Sequence, residues 1–465
     1  MGKRVKRGAS AGARASYAAM AISRRRCGHV VFAGSFGYLI YYHSTAASGE
    51  AWKAGNIDIT GLLMVMTLKV TACALNYQDA GRHERIIAER RQASKRPIPE
   101  LGAWEARRYV HSLPDPLDYA GWLMFPCTLV VGPAIEFRDY EAWVRGAGLW
   151  GSMPSASRCL RRAAWLVAYS CVFCFVHLAV MRVYTIDSTY LSPNWSAKPL
   201  WLKFWELHIL GQGSRGKYFF CWVWADAACC ASGLGFGAPP SEREFVARDS
   251  NAEKTKPPAG LLAKIASAIT VEDDRTKWAT ATNVHPMGVE LSATFVDIPK
   301  HWNVQTGEWL RHYVYERPEI RKKGTNKRDG VGFLQLLITQ TVSGVWHGLY
   351  AGYWLFFVSS AVYVHGSKAV WRWQRACWPR GYLDWVISFP HWVLTTVGLN
   401  YLCGAFMLVT YRQCVDAWRS VYFLPHMIVL AMVAFGEVVG NKAVRRAKRR
   451  AEEEAKKKAN EGGEG

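Results

Sequence analysis

The sequence predicts an all-α polytopic membrane protein, a helical bundle of about eight to ten transmembrane helices around an internal polar chamber. Three observations support this fold class. Apolar stretches of about 20 residues, enough to cross a bilayer, recur along the chain. Charge is concentrated at the two ends and in a few loops, so the mean hydropathy of −0.05 hides the apolar stretches. Finally, several ionisable residues lie inside apolar stretches, where they are costly unless they face a polar interior.

Length and apolar composition define the candidate spans. Gly398 or Asn400 could divide one of them, the stretch 383–411, into two shorter helices. The candidates are residues 29–45, 59–77, 117–135, 162–183, 216–236, 331–350, 351–371, 383–411 and 419–440.

The hydrophilic connections differ in character. Residues 79–113 are charged and helix-prone, and 237–287 are rich in Pro, Ser, Lys and Glu, which predicts a loop or re-entrant region. Residues 288–330 mix aromatic and charged side chains, a pattern typical of an amphipathic helix on or partly in the membrane.

The net charge of +22 first suggests nucleic acid as a partner. However, the basic runs flank hydrophobic segments and match no DNA- or RNA-binding motif, so no nucleic-acid partner is expected. Basic residues beside spans orient them and attract anionic lipid. We therefore predict a basic, disordered N-terminal arm over 1–28, a membrane domain over 29–440 and a charged cytosolic tail over 441–465.

Twelve cysteines are scattered along the chain. They form neither a metal-binding spacing nor a disulfide framework, so we expect reduced core residues and no metal site. A polar chamber is suggested instead by residues that interrupt apolar stretches. They are Lys69, Glu136, Asp226, Asn303, His347 and His365.

His347 lies in TVSGVWHGLYAGYWLFF, between Gly344 and Gly348, which remove side-chain bulk and would let another backbone or a lipid approach. A neutral buried imidazole can accept a proton, although a lone His in an apolar helix is more often a packed, hydrogen-bonded residue. Asn303 lies in KHWNVQTGEWL. Its amide could donate to a developing oxyanion or orient a histidine, or it could simply cap a helix or loop.

The Walker loop and His-Glu-x-x-His are absent from the sequence. No internal repeat is visible, which disfavours a repeat-built transporter. Spacing alone leaves an intramembrane acid–base enzyme, or a channel or transporter with a polar lining.

Several long segments resemble the membrane-bound O-acyltransferase (MBOAT) family, and within it the lysophospholipid acyltransferases. VSGVWHGLYAGYWLFF resembles its Trp-His-Gly motif, and HWNVQTGEWLRHYVYER resembles the Trp-Asn-x-Gln-Thr motif of this subgroup. Further similar blocks are DITGLLMVMTLKVTACALNYQD, FPCTLVVGPAIEFRDY, KYFFCWVWADAACCASGLGF and MGVELSATF. The resemblance covers roughly 29–440.

The resemblance implies an acyltransferase that re-acylates lysophospholipids from acyl-CoA, with His347 as general base and Asn303 as its partner. It implies no cofactor, because acyl-CoA is a co-substrate, and residence in the endoplasmic reticulum membrane. The partners are then the lysophospholipid, acyl-CoA and the bilayer. The expected substrate-binding residues are Trp302, Gln305, Thr306, Trp309, Trp346, Gly348, Tyr353, Asp226 and Glu290.

Some of these roles have alternatives. Asp226 and Glu290 could orient partners in the chamber or form structural ion pairs. Arg311, Arg317 and the basic residues 321–328 could meet the phosphates of CoA or form a charged cytosolic face.

Two features depart from the family pattern. The family usually begins with two or three helices before the block that starts here near residue 29, so we expect the chain to lack those helices. Asp79 is followed by Ala80 and then Gly81, where the family usually has Asp-Gly.

Two other functions stay open. One is another branch of the family, acylating sterols, diacylglycerol or proteins. The sterol and diacylglycerol branch is disfavoured because its Phe-Tyr-x-Asp-Trp-Trp-Asn signature is replaced here by IPKHWNVQT. The other is a non-catalytic channel, transporter or scaffold.

Overall fold

Helices form nearly all the regular structure of the chain. The computed structural model describes residues 2–45, 59–92, 103–237, 278–317, 332–377 and 384–461. Within these ranges there is no strand, only two isolated β-bridges, so the prediction of an all-α protein is confirmed. The helices are α1 Gly2–Ile22, α2 Cys27–Thr45, α3 Thr60–Gln92, α4 Ala103–Arg108, α5 Pro116–Leu123, α6 Pro126–Leu129, α7 Phe137–Val144, α8 Ala156–Met181, α9 Leu200–Ala231, α10 Pro286–Glu290, α11 Ile298–His301, α12 Val304–Leu310, α13 Phe333–His347, α14 Ala351–Cys377, α15 Asp384–Leu408, α16 Tyr411–Arg419, α17 Leu424–Phe435 and α18 Asn441–Glu461.

Three helical segments in the described part are long and apolar enough to cross a membrane: α3, α8 and the continuous stretch Leu424–Ala447. Helix α8 exposes Val172, Phe175 and Leu178, and Phe175 is 72% accessible. A row of exposed apolar side chains on a helix is what a bilayer-facing surface requires, because lipid tails cover it. The expectation of an integral membrane protein therefore fits the helices, while the number of eight to ten spans stays a prediction.

Most predicted spans correspond to helices, with some changes. The stretch 383–411 is one helix, α15, with Pro390 inside it, and was not divided at Gly398 or Asn400. The prediction of a span over 117–135 is wrong, because α5 ends at Leu123 and Pro126 opens the separate short helix α6. A proline lacks the N–H that would continue the preceding helix.

The prediction of a disordered arm is also wrong for residues 2–22, which form helix α1. Met20 is buried in a cluster with Tyr119 and Trp122. The hydroxyls of Ser16 and Tyr119 lie 2.8 Å apart. Alanine-rich sequence favours a helix, and one face of α1 finds apolar partners despite the basic composition.

The single amphipathic helix expected over 288–330 is not observed. Its described part contains the end of α10, then α11 and α12, and one wider helical turn over Arg311–Tyr315. Residues 318–331, including the basic residues 321–328, lie outside the described ranges, as does most of the predicted loop 237–287.

Helices α8 and α9 pack closely along their length, and this pairing positions α9 for the site. A Cβ at Gly216 of α9 would lie 3.0 Å from the carbonyl oxygen of Phe173 of α8, so only glycine allows the approach. At the same crossing, Nδ1 of His177 lies 2.7 Å from the carbonyl oxygen of Gly213. Helix α9 carries Arg215, Tyr218 and Asp226 from this fixed position.

Candidate active site

Asn303 is held in an unusual backbone conformation by a neighbouring segment. Val284 and Trp302 form an antiparallel β-bridge, and the N–H of His285 donates to the carbonyl of His301 at 2.9 Å. Asn303 itself has φ 48° and ψ 52°, in the left-handed region that asparagine tolerates better than most residues. The sequence places Asn303 just before α12, and the bridge fixes it there.

Asn283 caps helix α12. Its carbonyl oxygen accepts from the N–H of Val304 at 2.8 Å, and its side-chain Oδ1 accepts from the N–H of Gln305 at 3.0 Å. The side chain of Asn303 makes no capping hydrogen bond, although it stands at the N-cap position. Asn303 is thus the N-cap residue of α12, as the capping interpretation has it, while its side-chain amide takes no part in the cap.

Replacing Asn283 tests this arrangement. In Asn283→Ala the N–H of Gln305 loses its acceptor, which should cost about 1 kcal/mol of stability, as loss of a helix cap does. We expect a larger effect on turnover, because the backbone at Asn303 loses one of its supports. Thermal unfolding and initial rates would be compared with Asn283→Ser, which retains a capping oxygen. An unchanged turnover number in Asn283→Ala would contradict the positioning role.

His347 is the last residue of α13 and stands in an aromatic surround. Its ring centroid lies 4.9 Å from that of Phe357 and 5.2 Å from that of Phe406. The side chain is half-buried and has no hydrogen bond to any described residue. The imidazole is therefore not the hydrogen-bonded structural histidine that was the alternative.

Gly348 ends α13 with φ 140° and ψ −179°, a backbone conformation essentially restricted to glycine. A Cβ there would also lie 3.3 Å from Cε2 of Tyr353. At Gly344 a Cβ would make only an ordinary contact, 3.5 Å from Phe357. The expected need for glycine thus holds at Gly348, where the chain turns directly after the histidine.

His43 of α2 is a neighbour that the sequence reasoning missed. Its Nε2–H donates to the carbonyl of Trp346, the residue next to His347, at 3.1 Å. Trp346 is buried, and its indole N–H donates to the carbonyl of Met64 at 2.9 Å. Trp346 thus joins α13 to α3, and its predicted substrate-binding role stays a prediction.

Two tyrosines lie beside the two motifs. The ring of Trp302 lies 5.6 Å from that of Tyr218. The ring of Tyr353 lies 6.2 Å from the imidazole of His347. No hydrogen bond joins Asn303 to His347 in the described part of the chain. Tyr218 carried no signal in the sequence beyond its position in a recognised block.

Two other predicted residues hold the segment that supports Asn303. Gln305 donates through Nε2 to the carbonyl of Thr280 at 3.1 Å, and Asp226 accepts from the hydroxyl of Thr282 at 2.9 Å. Both bonds hold the segment 278–285, which in turn holds Asn303. For Asp226, the role of orienting partners in the chamber stays a prediction.

Glu290 forms a buried ion pair, the structural alternative considered for it. Nε and Nη2 of Arg215 donate to the two carboxylate oxygens at 2.7 and 2.8 Å, and Gln212 donates to the same group at 2.7 Å. Nη1 of Arg215 donates to Oδ1 of Asn400 at 2.7 Å. This network joins α9, α10 and α15.

Trp309 and Thr306 are buried on helix α12. The indole N–H of Trp309 donates to the hydroxyl of Thr71 at 3.2 Å, and its ring stacks near Phe32 and Phe36. Trp309 therefore packs α12 against α2 and α3.

The remaining polar residues inside apolar stretches have separate partners. Lys69 donates to the hydroxyl of Thr128 at 2.7 Å, and Glu136 accepts from the hydroxyl of Tyr313 at 2.9 Å. His365 lies 3.7 Å from a carboxylate oxygen of Glu437. These contacts join helices and do not gather the side chains around His347.

The arginines considered for CoA phosphates already have carboxylate partners. Nε of Arg311 donates to Glu316 at 2.9 Å, and Arg317 is paired with Asp79. Burial alone would raise the pKa of Glu316, but hydrogen bonding to His312 and the charge of Arg311 lower it to about 2. These contacts favour a structural role for both arginines.

The described residues contain no group of three or more His, Cys, Asp or Glu side chains that could hold a metal ion. The twelve cysteines are free.

Comparison with known proteins agrees with the motifs. The sequence model of the membrane-bound O-acyltransferase family matches residues 44–408. The chain is 34% identical over 442 residues to "Lysophospholipid acyltransferase 2" of Arabidopsis thaliana, covering 94% of this chain and 84% of that protein. It is 26% identical over 411 residues to "Lysophospholipid acyltransferase" of Schizosaccharomyces pombe, covering 84% and 69%. It is 22% identical over 414 residues to "Membrane-bound glycerophospholipid O-acyltransferase 1" of Mus musculus, covering 86% and 73%. The chain is an acyltransferase and belongs to the membrane-bound O-acyltransferase family.

Proposed function

We propose that this acyltransferase moves an acyl group from acyl-CoA to the free hydroxyl of a lysophospholipid, with His347 as general base. One observation carries the proposal. His347 and the amide of Asn303 have no hydrogen bond to a described residue, whereas Gln305, Asp226 and Glu290 are engaged. Polar groups that no described residue engages are available to a substrate. The acceptor class is supported by the names of the plant and yeast relatives.

The proposed reaction moves the acyl group in one step from the thioester to the lysophospholipid hydroxyl. Nitrogen of the neutral His347 imidazole takes the proton of the lysophospholipid hydroxyl while its oxygen attacks the thioester carbonyl. The amide N–H of Asn303 donates to the developing oxyanion or orients the imidazole. The tetrahedral intermediate collapses, the C–S bond breaks, and the imidazolium gives its proton to the departing thiolate. A thioester is already activated, so neither an acyl-enzyme nor a cofactor is required.

The aromatic surround supports this chemistry by excluding water. Phe357, Phe406 and Tyr353 cover the imidazole, which limits hydrolysis of the thioester. We place the protein in the endoplasmic reticulum membrane, on the resemblance and the basic tail.

A panel assay tests the proposal. Membranes containing the full chain would receive labelled oleoyl-CoA and one lysophospholipid at a time, differing in head group. We expect product that depends on the acceptor, and an Asn303→Ala variant whose turnover number is about 10²–10³-fold lower, as for loss of an oxyanion donor. The exposed Asn194 provides the matched control, and Asn194→Ala should retain the rate.

Two results would overturn the proposal. One is the absence of any acceptor-dependent product from a folded, membrane-inserted chain. The other is product formed with sterol, diacylglycerol or a peptide while every lysophospholipid fails, which would assign the chain to another acceptor class.

A further inference from the structure

Helices α14 and α17 run side by side in the same direction, so both lead to the same side of the bundle. The hydroxyl of Ser359 lies 3.1 Å from Nε2 of His426. Further along both segments, Gly436 lies against Ala369, where a Cβ on the glycine would clash. Beyond this level α14 continues to Cys377, and the chain after Gly436 continues into α18, which packs against α14. The last turns of α14 and the first turns of α18 are therefore neighbours.

These neighbouring ends carry only positive charge. Residues 370–377 and 438–450 contain eight Lys or Arg and neither Asp nor Glu. Cations at i, i+3 and i+4 share one face of a helix, which is the spacing of the three nearest the start of α18. Five exposed side chains form what we call the basic patch: Arg372 and Arg375 of α14, and Lys442, Arg445 and Arg446 of α18.

The acids closest in sequence leave this charge uncompensated. Glu437 precedes the patch, and its carboxylate faces His365 at 3.7 Å. Glu452 is exposed and follows Arg446 by more than one helical turn. Within the described part of the chain, Arg372, Lys442, Arg445 and Arg446 form no ion pair with a carboxylate. The patch is therefore able to attract an anion from outside the protein.

Two tryptophans indicate the depth of the patch in the membrane. The ring of Trp373 packs against that of Phe435, with 5.3 Å between the centroids. The guanidinium carbon of Arg375 lies 4.9 Å from the centre of the Trp371 ring. Tryptophan concentrates at the boundary between hydrocarbon and head groups, because its body is apolar and its N–H is polar. The end of α14 therefore lies at the level of the lipid head groups.

The segment that leads into α18 places an apolar surface directly before the cations. Leu424–Ala447 is long and apolar enough to cross a membrane, and Arg445 stands near its end. Val438 and Val439 are 63% and 49% exposed, and Lys442 follows Val438 by about one helical turn. An anion with an apolar body fits this sequence of surfaces better than a soluble phosphate does. Basic residues that flank a span face the cytosol, where the leaflet contains anionic phospholipid.

The basic patch is remote from the candidate active site. His347 precedes the first residue of α14, Ala351, whereas Arg372 lies near the other end of that helix. The separation along the helix is about six turns, or about 30 Å. A molecule held at the patch is therefore distinct from the groups that react at His347.

We propose that the basic patch binds the head group of an anionic phospholipid in the cytosolic leaflet. The guanidinium groups of Arg445 and Arg446 donate hydrogen bonds to the phosphate oxygens, which their planar forks match. The acyl chains of the lipid lie on the exposed apolar surface at Val438 and Val439. The lipid is a bound component of the folded protein, and is neither the acyl donor nor the acyl acceptor.

Photolabelling tests the site without relying on activity. The full chain would be placed in phosphatidylcholine vesicles that contain a small fraction of phosphatidylserine with a diazirine on its acyl chain, near the ester. Matched vesicles would carry the same diazirine on phosphatidylcholine, and both would lack acyl-CoA and lysophospholipid. After irradiation and peptide mapping, we expect the phosphatidylserine probe to label residues 366–377 and 436–447 about fivefold more strongly, as one favourable charge near the membrane surface gives.

Substitutions at the arginine doublet test the patch directly. Arg445→Gln with Arg446→Gln removes two charges, and should bring the preference for phosphatidylserine below about twofold. Arg445→Lys with Arg446→Lys keeps the charges and should retain most of the preference. The matched control is the exposed doublet between α1 and α2. Arg25→Gln with Arg26→Gln should leave labelling of residues 366–377 and 436–447 unchanged.

A salt titration gives a second test that needs no variant. Raising the ionic strength from about 0.15 M to about 1 M shortens the range of electrostatic attraction from about 8 Å to about 3 Å. The preference of the unchanged chain for phosphatidylserine should fall. Size-exclusion profiles would identify any variant that fails to fold, and the salt titration keeps the test decisive in that case.

Three results would contradict the proposal. One is equal labelling of the patch by the two probes, and another is an unchanged preference in folded Arg445→Gln with Arg446→Gln. The third is displacement of the label by added acyl-CoA but not by unlabelled phosphatidylserine, which would assign the patch to the phosphates of the acyl donor. Because binding is measured without either substrate of the reaction, failure here is distinct from failure of the proposed acyl transfer.

Discussion

Replacing His347 by alanine should lower the turnover number about 10²–10⁴-fold, the range typical of a lost general base. The lysophospholipid hydroxyl would then have to lose its proton to water in a site from which aromatic rings exclude water. The folded protein should persist, because the imidazole makes no hydrogen bond to a described residue that its removal would orphan. Initial rates over a range of acyl-CoA and acceptor concentrations, together with thermal unfolding, would measure both effects.

His365 supplies the matched control. It is also a histidine in an apolar helix, but it faces Glu437 at 3.7 Å and contacts none of the residues around His347. His365→Ala should keep the rate within about twofold, as substitutions away from a site do. Equal rates for His347→Ala and the unchanged chain would remove the imidazole from the mechanism.

Breaking the Arg215–Glu290 pair should have the largest effect on stability. Glu290→Ala leaves the guanidinium of Arg215, which is 3% exposed, without its bidentate carboxylate. An uncompensated buried charge destabilises a fold by about 3–5 kcal/mol. We therefore expect a strongly lowered unfolding temperature in detergent and poor recovery of folded protein. The measurement is thermal unfolding followed by intrinsic tryptophan fluorescence.

A double substitution separates the cost of the orphaned charge from the value of the pair. Arg215→Met with Glu290→Leu replaces both charges by apolar groups, and most of the lost stability should return. Asp118→Ala breaks the exposed pair with Arg145, at 3.3 Å, and should change stability by less than about 1 kcal/mol. If Glu290→Ala were as mild as Asp118→Ala, the buried network would not be holding α9, α10 and α15 together.

The central residues of the site could be predicted because each lies within a contiguous motif. His347 follows Trp346 and precedes a glycine that the turn requires, and Asn303 follows Trp302 in a similarly compact block. Their partners could not be found this way. Asn283 and His43 act through hydrogen bonds to segments elsewhere in the sequence, and neither has a distinctive local pattern.

The errors in the helix predictions have equally local causes. Apolar composition predicted a span over 117–135, but composition ignores that Pro126 cannot continue the helix before it. The basic residues of α1 suggested disorder, whereas Met20 and Ser16 find partners on α5 that only the folded chain supplies. Charge and hydropathy describe a segment alone, and tertiary packing decides these two cases.

The two indole hydrogen bonds to α3 have a mechanical consequence. Trp309, on the helix that follows Asn303, is tied to Thr71, and Trp346, next to His347, is tied to Met64. Both halves of the site are therefore hydrogen-bonded to one helix, α3. The two residues of α3 that accept these bonds are less than two helical turns apart. A change in the curvature of α3 would therefore alter the spacing of the two halves directly, because the attachment points lie on the same helix.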